Sequence, residues 1–135
     1  MLKKIKKNNF FYKKKFEVKK NIKGDIFKIL NQKSKNYFGF AELYITSLNK
    51  GITKGWNFHK KMILNLIVIK GKVLFVVKKN KKIYKKILSQ NKKEILTIKS
   101  KVWFKMINLH AKRSEIINFA NLKHNKNEII KSEIK

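Results

Sequence analysis

The sequence of 135 residues contains no cysteine, no proline and a single arginine, Arg113. The absence of cysteine excludes disulfide scaffolds, thiolate zinc sites and cysteine nucleophiles. The longest apolar run covers only residues 62–69 and is interrupted by Asn65, well short of the ~20 residues that a membrane-spanning helix needs. The basic start of the chain also lacks the apolar segment of a signal peptide. We therefore expect a protein without a membrane span that stays in the cytoplasm.

Positive charge is the most prominent feature of the composition, with 36 Lys and Arg against 7 Asp and Glu and a formal net charge of +29. A surface that reads bases or clamps phosphates usually keeps arginines, and here all cations but one are lysine. Lys, Asn, Ile, Phe and Tyr, whose codons are A/T-rich, supply 83 of the 135 residues, which indicates an A/T-rich genome. Because the lysines are spread along the whole chain, nucleic-acid binding is an alternative and not the first interpretation.

The length predicts one folded domain with one core. Residues 1–23 interleave lysines with aromatic residues and are interpreted as a basic N-terminal arm, and residues 24–135 as the domain. The domain reads as short β-branched and aromatic runs separated by turn residues, which is typical of an all-β sandwich or barrel. Eight strands are predicted, at residues 25–30, 38–48, 62–69, 72–78, 82–88, 94–99, 102–107 and 115–120.

The hydrophobic pattern indicates which of these strands lie at the centre of a sheet and which lie nearer an edge. Residues 62–69 are apolar on both faces and should form a central strand, whereas residues 72–78 and 82–88 carry lysines and should lie nearer an edge. His124 and Glu128 would share one face if the segment after residue 120 formed a short helix.

Most catalytic constellations are missing from the sequence. It has three histidines, no phosphate-binding glycine-rich loop, no serine elbow and no HExxH motif. Two stretches remain as carriers of chemistry: GITKGWNFHKK at residues 51–61 and IKSKVWFKMIN at residues 98–108.

The stretch KGWNFHK at residues 54–60, followed by LNLIVIKGKVLFVV, resembles the motif-bearing strands of the cupin sugar-nucleotide enzymes. These are the dTDP-4-dehydrorhamnose 3,5-epimerases and the dTDP-4-keto-6-deoxyglucose 3,4-ketoisomerases. On the RGxHAHK spacing of the ketoisomerases, Lys54 stands at the arginine, Asn57 at the first histidine and His59 at the second. KSKVW at residues 99–103 resembles their PPGVW turn, and the likeness extends over about residues 24 to 128.

The resemblance implies a fold, a ligand and an assembly. The fold is a single cupin domain, a double-stranded β-helix or jelly-roll barrel, and the ligand is a nucleotide-diphospho-sugar. Edge strands shared in a homodimer and a role in surface-polysaccharide synthesis are also implied. Only His59 and Asn108 correspond to positions of the general metal-binding cupin pattern. One histidine does not hold a divalent metal. No metal or other cofactor is therefore expected.

The resemblance also implies roles for individual residues in proton transfer next to a ketone. His59 is the expected base, Tyr44 the candidate acid, and Lys54 or Lys61 the group that stabilises negative charge. Because the epimerases carry their base at the position of Asn57, which accepts no proton, ketoisomerisation or single epimerisation is favoured. Asn65, expected to point into the barrel, and Trp103 complete the predicted substrate-binding set of Asn57, Lys61, Asn65 and Trp103.

A second hypothesis is a non-catalytic cupin that retains the sugar-nucleotide pocket. In the family a carboxylate orients the base, and Asp25 or Glu42 is the candidate here. The enzyme predicts that His59, Tyr44 and a carboxylate converge, whereas the non-catalytic cupin predicts a His59 without a carboxylate partner.

Overall fold

The computed structural model describes residues 8–132, which form twelve β-strands and no helix. Residues 1–7 of the predicted arm lie outside the described residues. Within the described range no helix is long and apolar enough to cross a membrane. The strands are β1 (Phe11–Lys15), β2 (Glu17–Lys19), β3 (Ile26–Lys28), β4 (Glu42–Leu48), β5 (Thr53–His59), β6 (Leu64–Lys70), β7 (Lys72–Lys79), β8 (Lys82–Ser89), β9 (Glu94–Ile98), β10 (Trp103–Asn108), β11 (Ser114–Ala120) and β12 (Ile129–Lys131).

Two five-stranded antiparallel sheets form the barrel. Sheet one has the order β1-β9-β6-β11-β4 and sheet two the order β12-β5-β10-β7-β8, while β2 and β3 form a separate hairpin. The core lies between the sheets, where side chains such as Leu66 and Leu96 of sheet one meet Phe75 and Met106 of sheet two. This architecture confirms the predicted all-β jelly roll, and β6 occupies the predicted central position of its sheet.

The barrel begins before the boundary predicted between residues 23 and 24, because β1 belongs to sheet one. Phe11 pairs with Ile98 of β9 and is fully buried in the core. The side-chain carbonyl of Asn8 accepts the backbone N–H groups of Phe10 and Phe11 and so sets the start of this strand. The apolar surface that these aromatic residues bury holds residues 11–15 in the barrel.

Four strands were not predicted from the sequence: β1, β2, β5 and β12. Of these, β5 matters most, because it lies between β10 and β12 and carries the motif around His59. The short helix considered for the segment after residue 120 does not form. This segment contains a turn, closed by a bond from the N–H of Glu128 to the carbonyl of Asn125, and leads into β12.

A bulge in β5 decides which way its side chains point. The register to β10 pairs Phe104 with Asn57 and Lys105 with Gly55, so that Trp56 is the extra residue. Gly55 has a φ of +124° and a Cβ there would lie 2.6 Å from the Cβ of Lys105. Only glycine fits this close approach.

Asn65 ties a loop to the outer surface of sheet one. Its amide nitrogen donates to the carbonyl of Asn36 at 2.8 Å, and its oxygen accepts from the hydroxyl of Thr97 at 2.6 Å and the amide of Asn36 at 3.3 Å. All three side chains are buried. Because buried polar groups are costly when unpaired, this network should contribute to stability.

We expect Asn65→Ala to lower the free energy of unfolding by about 2 kcal/mol, since it leaves Thr97 and Asn36 without a buried partner. Urea unfolding of the variant and the wild type measures this loss. The matched control is Asn91→Ala, which truncates an exposed asparagine and should change stability by less than about 0.5 kcal/mol. Equal midpoints for both variants would contradict the structural role of Asn65.

Candidate active site

The candidate site lies where one edge of sheet one faces sheet two. At the opposite side of the barrel β8 packs against β6 and β9 and joins the two sheets. At the side of the candidate site, β4 is the edge strand of sheet one. The edge strand of sheet two at this side is β12, and β5 is its neighbour. The alternation of β-strands therefore directs Tyr44 from one sheet and Asn57 and His59 from the other toward the interior.

His59 is the most buried titratable side chain of the site, with 5% of its surface exposed. Its ring stacks on Phe104 at a centroid distance of 5.5 Å and an interplanar angle of 20°. Nδ1 is buried and has no hydrogen-bond partner among the described residues. Burial lowers the pKa of His59 to about 4, an effect that nearby His124 increases and Glu128 opposes. The ring is therefore neutral near pH 7 and can accept a proton.

Tyr44 faces the interior from β4 and packs, half-buried, against the core. Burial raises the pKa of its hydroxyl, and the carboxylate of Glu42 on the same strand raises it further. The phenol therefore keeps its proton at neutral pH. Beside it, the buried amide of Asn118 donates to the hydroxyl of Thr46 at 2.9 Å.

Residues 121–128, the crossing segment, run from the end of sheet one to the start of β12. The side chain of Asn121 accepts the N–H of Ile63 at 2.7 Å, and Glu42 accepts the N–H of His124 at 2.9 Å. Glu128 Oε1 accepts the N–H groups of Lys61 and Met62, both at 2.6 Å. These bonds fix the crossing segment to sheet one and to the residues that follow β5, close to His59.

Glu128 lies near His59 and was not assigned to the site from the sequence. Burial alone would raise its pKa, but the backbone bonds from Lys61 and Met62, the protonated form of the His59 ring and the ammonium of Lys61 lower it below the ordinary value. Its carboxylate is therefore charged and is held near the imidazole. No spacing in the sequence marks Glu128, because its partners lie more than 60 residues away.

Lys54 and Asn57, the other predicted residues of this motif, share the inner side of β5. Their register partners in β10 are Met106 and Phe104, which both belong to the core. Asn57 is half-buried and Lys54 is exposed. Lys61 lies in the connection after β5, exposed, with its charge close to Glu128. The structure therefore brings these three residues to the same side of the barrel as His59.

Two predicted substrate-binding residues point away from the interior. Asn65 alternates with the core residues Leu64 and Leu66, so its side chain lies on the outer face of sheet one. Trp103 precedes the core residue Phe104 and stands opposite Phe58 on the outer face of sheet two. The expectation that Asn65 points into the barrel is wrong, because the pleat turns consecutive residues to opposite faces, and the same alternation places Trp103 outside the barrel interior.

The proposed carboxylate partners of His59 are engaged elsewhere. Asp25 binds the ammonium of Lys20 at 3.1 Å and the N–H of Asn21 at 3.1 Å, in the connection between β2 and β3. Glu42 binds the backbone of His124. Within residues 8–132 no cluster of three His, Asp or Glu side chains is arranged to hold a metal ion.

Comparison with known proteins links the barrel to one group of enzymes. Residues 12–134 match the family described as "FdtA: WxcM-like, C-terminal". No curated protein matches the sequence significantly. Among solved structures, a dTDP sugar isomerase from Desulfovibrio desulfuricans superposes with a TM-score of 0.82 at 17% identity, covering 92% of this chain and 84% of that one.

Two further structures resemble the chain. A point mutant of the 3,4-ketoisomerase QdtA from Thermoanaerobacterium thermosaccharolyticum, in complex with TDP-4-keto-6-deoxyglucose, gives a TM-score of 0.80 at 21% identity, with 93% and 90% of the two chains covered. A dTDP-4-dehydrorhamnose 3,5-epimerase from Elizabethkingia anophelis gives 0.79 at 16% identity, with 91% and 75% covered. At these identities the likeness shows the fold.

The lowered pKa of His59 predicts a pH dependence of stability. The unfolded chain takes up a proton on His59 near the ordinary pKa of 6.5, whereas the folded protein does so only at about 4. Unfolding free energy therefore falls as the pH drops through this window. Between about pH 7 and about pH 5 we expect the wild type to lose about 2 kcal/mol more than His59→Asn, measured by urea unfolding. Equal losses would contradict the burial of a neutral His59.

Proposed function

Because the chain belongs to the FdtA, WxcM-like C-terminal family, we propose that it is an isomerase of a nucleotide-linked 4-keto-6-deoxy sugar. The observation that carries this proposal is the buried, neutral His59 with an unpartnered Nδ1 on the inner face of β5. A buried polar atom without a partner is uncommon and favours a ligand or a reacting group at that position. The reaction is proton transfer next to the ketone and requires no metal or other cofactor.

His59 acts as the base in this proposal. Its ring nitrogen takes the proton from the carbon next to the ketone, and the electron pair of the broken C–H bond moves into the carbonyl to give an enolate. The ring then carries a positive charge, which the nearby carboxylate of Glu128 stabilises. This charge pair compensates in part for the desolvation that makes His59 a weak base in the free protein.

Tyr44 returns a proton from the opposite sheet. Its hydroxyl keeps its proton because burial and Glu42 raise its pKa. If the hydroxyl on the deprotonated carbon passes its proton to the enolate oxygen and Tyr44 protonates the former carbonyl carbon, the carbonyl moves by one position. If Tyr44 instead protonates the deprotonated carbon from the other face, that carbon is inverted and the ketone stays in place. The former is ketoisomerisation and the latter a single epimerisation, and the location of base and acid on facing sheets supports either.

Lys54, Asn57 and Lys61 bind the polar parts of the substrate in this proposal. Asn57 is placed beside His59 on the inner face and can donate a hydrogen bond to the enolate oxygen. The ammonium groups of Lys54 and Lys61 supply positive charge for the enolate or the diphosphate. Cytoplasmic location and a role in surface-polysaccharide synthesis stay predictions from the sequence.

A non-catalytic cupin that only binds the nucleotide sugar is the second candidate function. It is favoured by the absence of a carboxylate hydrogen bond to Nδ1 of His59 among the described residues. A base with a pKa of about 4 is also weaker than an ordinary histidine. Both candidate functions require binding of the nucleotide sugar, and they differ in turnover.

A homodimer is the assembly we propose, through the outer face of β4. Leu43 and Ile45 there are each 59% exposed, and Phe40 beside them is 55% exposed. An exposed apolar patch next to an open strand edge is a typical protein interface. A second copy of the chain supplies a matching surface, since a two-fold contact uses the same patch twice.

We expect the wild type to incorporate solvent deuterium next to the ketone of dTDP-4-keto-6-deoxyglucose, followed by NMR. His59→Asn should lower the rate at least about 100-fold, because no base remains to take the proton. His110→Asn is the matched control, since His110 follows the end of β10 while His59 lies beside its start. The labelled carbon identifies which proton is removed.

The outcomes of this experiment separate the two functions. Equal exchange in the wild type and His59→Asn would contradict the role of His59. Thermal stabilisation by the nucleotide sugar without exchange in the wild type would support the non-catalytic cupin. Exchange that persists in Tyr44→Phe while product formation is lost would support Tyr44 as the acid.

Light scattering of the full chain tests the assembly. The wild type should have the mass of two chains, and Ile45→Lys should give a monomer by placing a charge in the interface. Ile83→Lys is the matched control, because Ile83 on β8 is 58% exposed and lies outside the patch. A monomeric wild type would contradict the proposal.

A further inference from the structure

Sheet two carries a cavity on the face opposite to the barrel interior. This outer cavity has a volume of about 410 Å³ and is lined by Trp56 and Phe58 of β5, Trp103 of β10 and a group of lysines. Its size falls within the range of small-molecule sites. None of the described residues that line it is acidic.

The aromatic residues of the outer cavity form a surface on which a flat ring can lie. Phe58 and Trp103 have centroids 5.2 Å apart and are tilted by 47°, so neither ring covers the face of the other by parallel stacking. The ammonium of Lys105 lies 4.7 Å from the ring centre of Trp56. Three half-buried aromatic side chains on the solvent side of a sheet are more than the core requires, because the core lies on the other face.

Positive charge surrounds this surface. Lys78, Lys81 and Lys101 line the outer cavity, are exposed and have no ion-pair partner among residues 8–132. A fourth lysine, Lys79, is engaged elsewhere, with its ammonium 4.4 Å from the ring centre of Phe10. Three available ammonium groups around aromatic rings favour a ligand that is both planar and anionic.

Lys81 and Lys101 have positive φ values, a backbone conformation that is unfavourable for lysine. Asn80 and Lys81 have φ values of 51° and 64°, and Lys101 has a φ of 65°. Asn80 and Lys81 connect β7 to β8 as a two-residue turn of the type that usually carries Asn-Gly. Turn geometry therefore does not favour lysine at position 81, and the residue places an exposed ammonium group at the outer cavity.

We propose that the outer cavity binds a nucleoside phosphate, with the base against Phe58 and Trp103 and the phosphate near Lys81 and Lys101. Base stacking on aromatic side chains combined with lysine–phosphate contacts is a common mode of nucleotide and single-strand binding. The ligand can be a free nucleotide or one nucleotide of a single-stranded nucleic acid, since both present the same ring and phosphate. This site is separate from the interior site around His59.

Intrinsic fluorescence tests the proposal directly, because the chain has two tryptophans and both line the outer cavity. Titration with adenosine monophosphate should quench this fluorescence saturably. The double variant Lys81→Gln/Lys101→Gln should raise the dissociation constant at least about tenfold. The double variant Lys33→Gln/Lys112→Gln removes the same charge from exposed lysines elsewhere and should leave it unchanged.

Four further titrations decide what is recognised and where. Adenosine and ribose 5-phosphate should each bind more weakly than adenosine monophosphate, and equal binding of either would overturn the proposal. His59→Asn should leave the quenching intact, and its loss there would place the ligand in the barrel and overturn the proposal. A deoxyadenosine octamer that binds more tightly, with the same dependence on Lys81 and Lys101, would identify single-stranded nucleic acid as the source.

Two other results would also overturn the proposal of a nucleoside phosphate in the outer cavity. No saturable quenching by the monophosphate or the octamer would overturn the proposal, as would equal binding by the two double-lysine variants. These results are independent of the isomerase assay, which reports on His59 and the interior.

Discussion

The close approach of β5 to β10 at Gly55 is the constraint on which both candidate sites depend. No side chain fits there, because a Cβ would lie 2.6 Å from that of Lys105. The bulge at this point inserts Trp56 and determines to which face of sheet two each following residue points. His59 consequently points into the barrel, and Phe58 points to the solvent side. The interior site and the outer cavity are the two faces of one strand.

Burial keeps the ring of His59 neutral, and it also makes that ring a weak base. Removal from water disfavours the charged ring, so the nitrogen is free of a proton at neutral pH but holds one only loosely. The crossing segment contributes to the opposite effect by fixing the carboxylate of Glu128 through two backbone bonds. A negatively charged group near a neutral imidazole stabilises the protonated ring once it forms. Proton uptake by His59 is therefore disfavoured by burial and favoured by the carboxylate of Glu128.

Local sequence signals predicted some strands well and others not at all. β6 is apolar on both faces, as expected of a central strand, because both of its faces are covered. β5 contains glycine, lysine and asparagine, which have low strand propensity, and becomes a strand through pairing with β10 and β12. β1 has the composition of a lysine-rich arm, but its burial of Phe11 against β9 is a long-range contact.

By itself the sequence determined the all-β class, the absence of thiol chemistry and the family resemblance, and it predicted His59 as the candidate base. These follow from composition, alternation and a short motif, which are local properties of the chain. Only the tertiary structure decided that Asn65 and Trp103 face outward, that β1 completes a sheet and that Glu128 is held beside His59. The physical reason is that side-chain direction depends on strand register and on the position of one bulge, and both are set by pairing between distant parts of the chain.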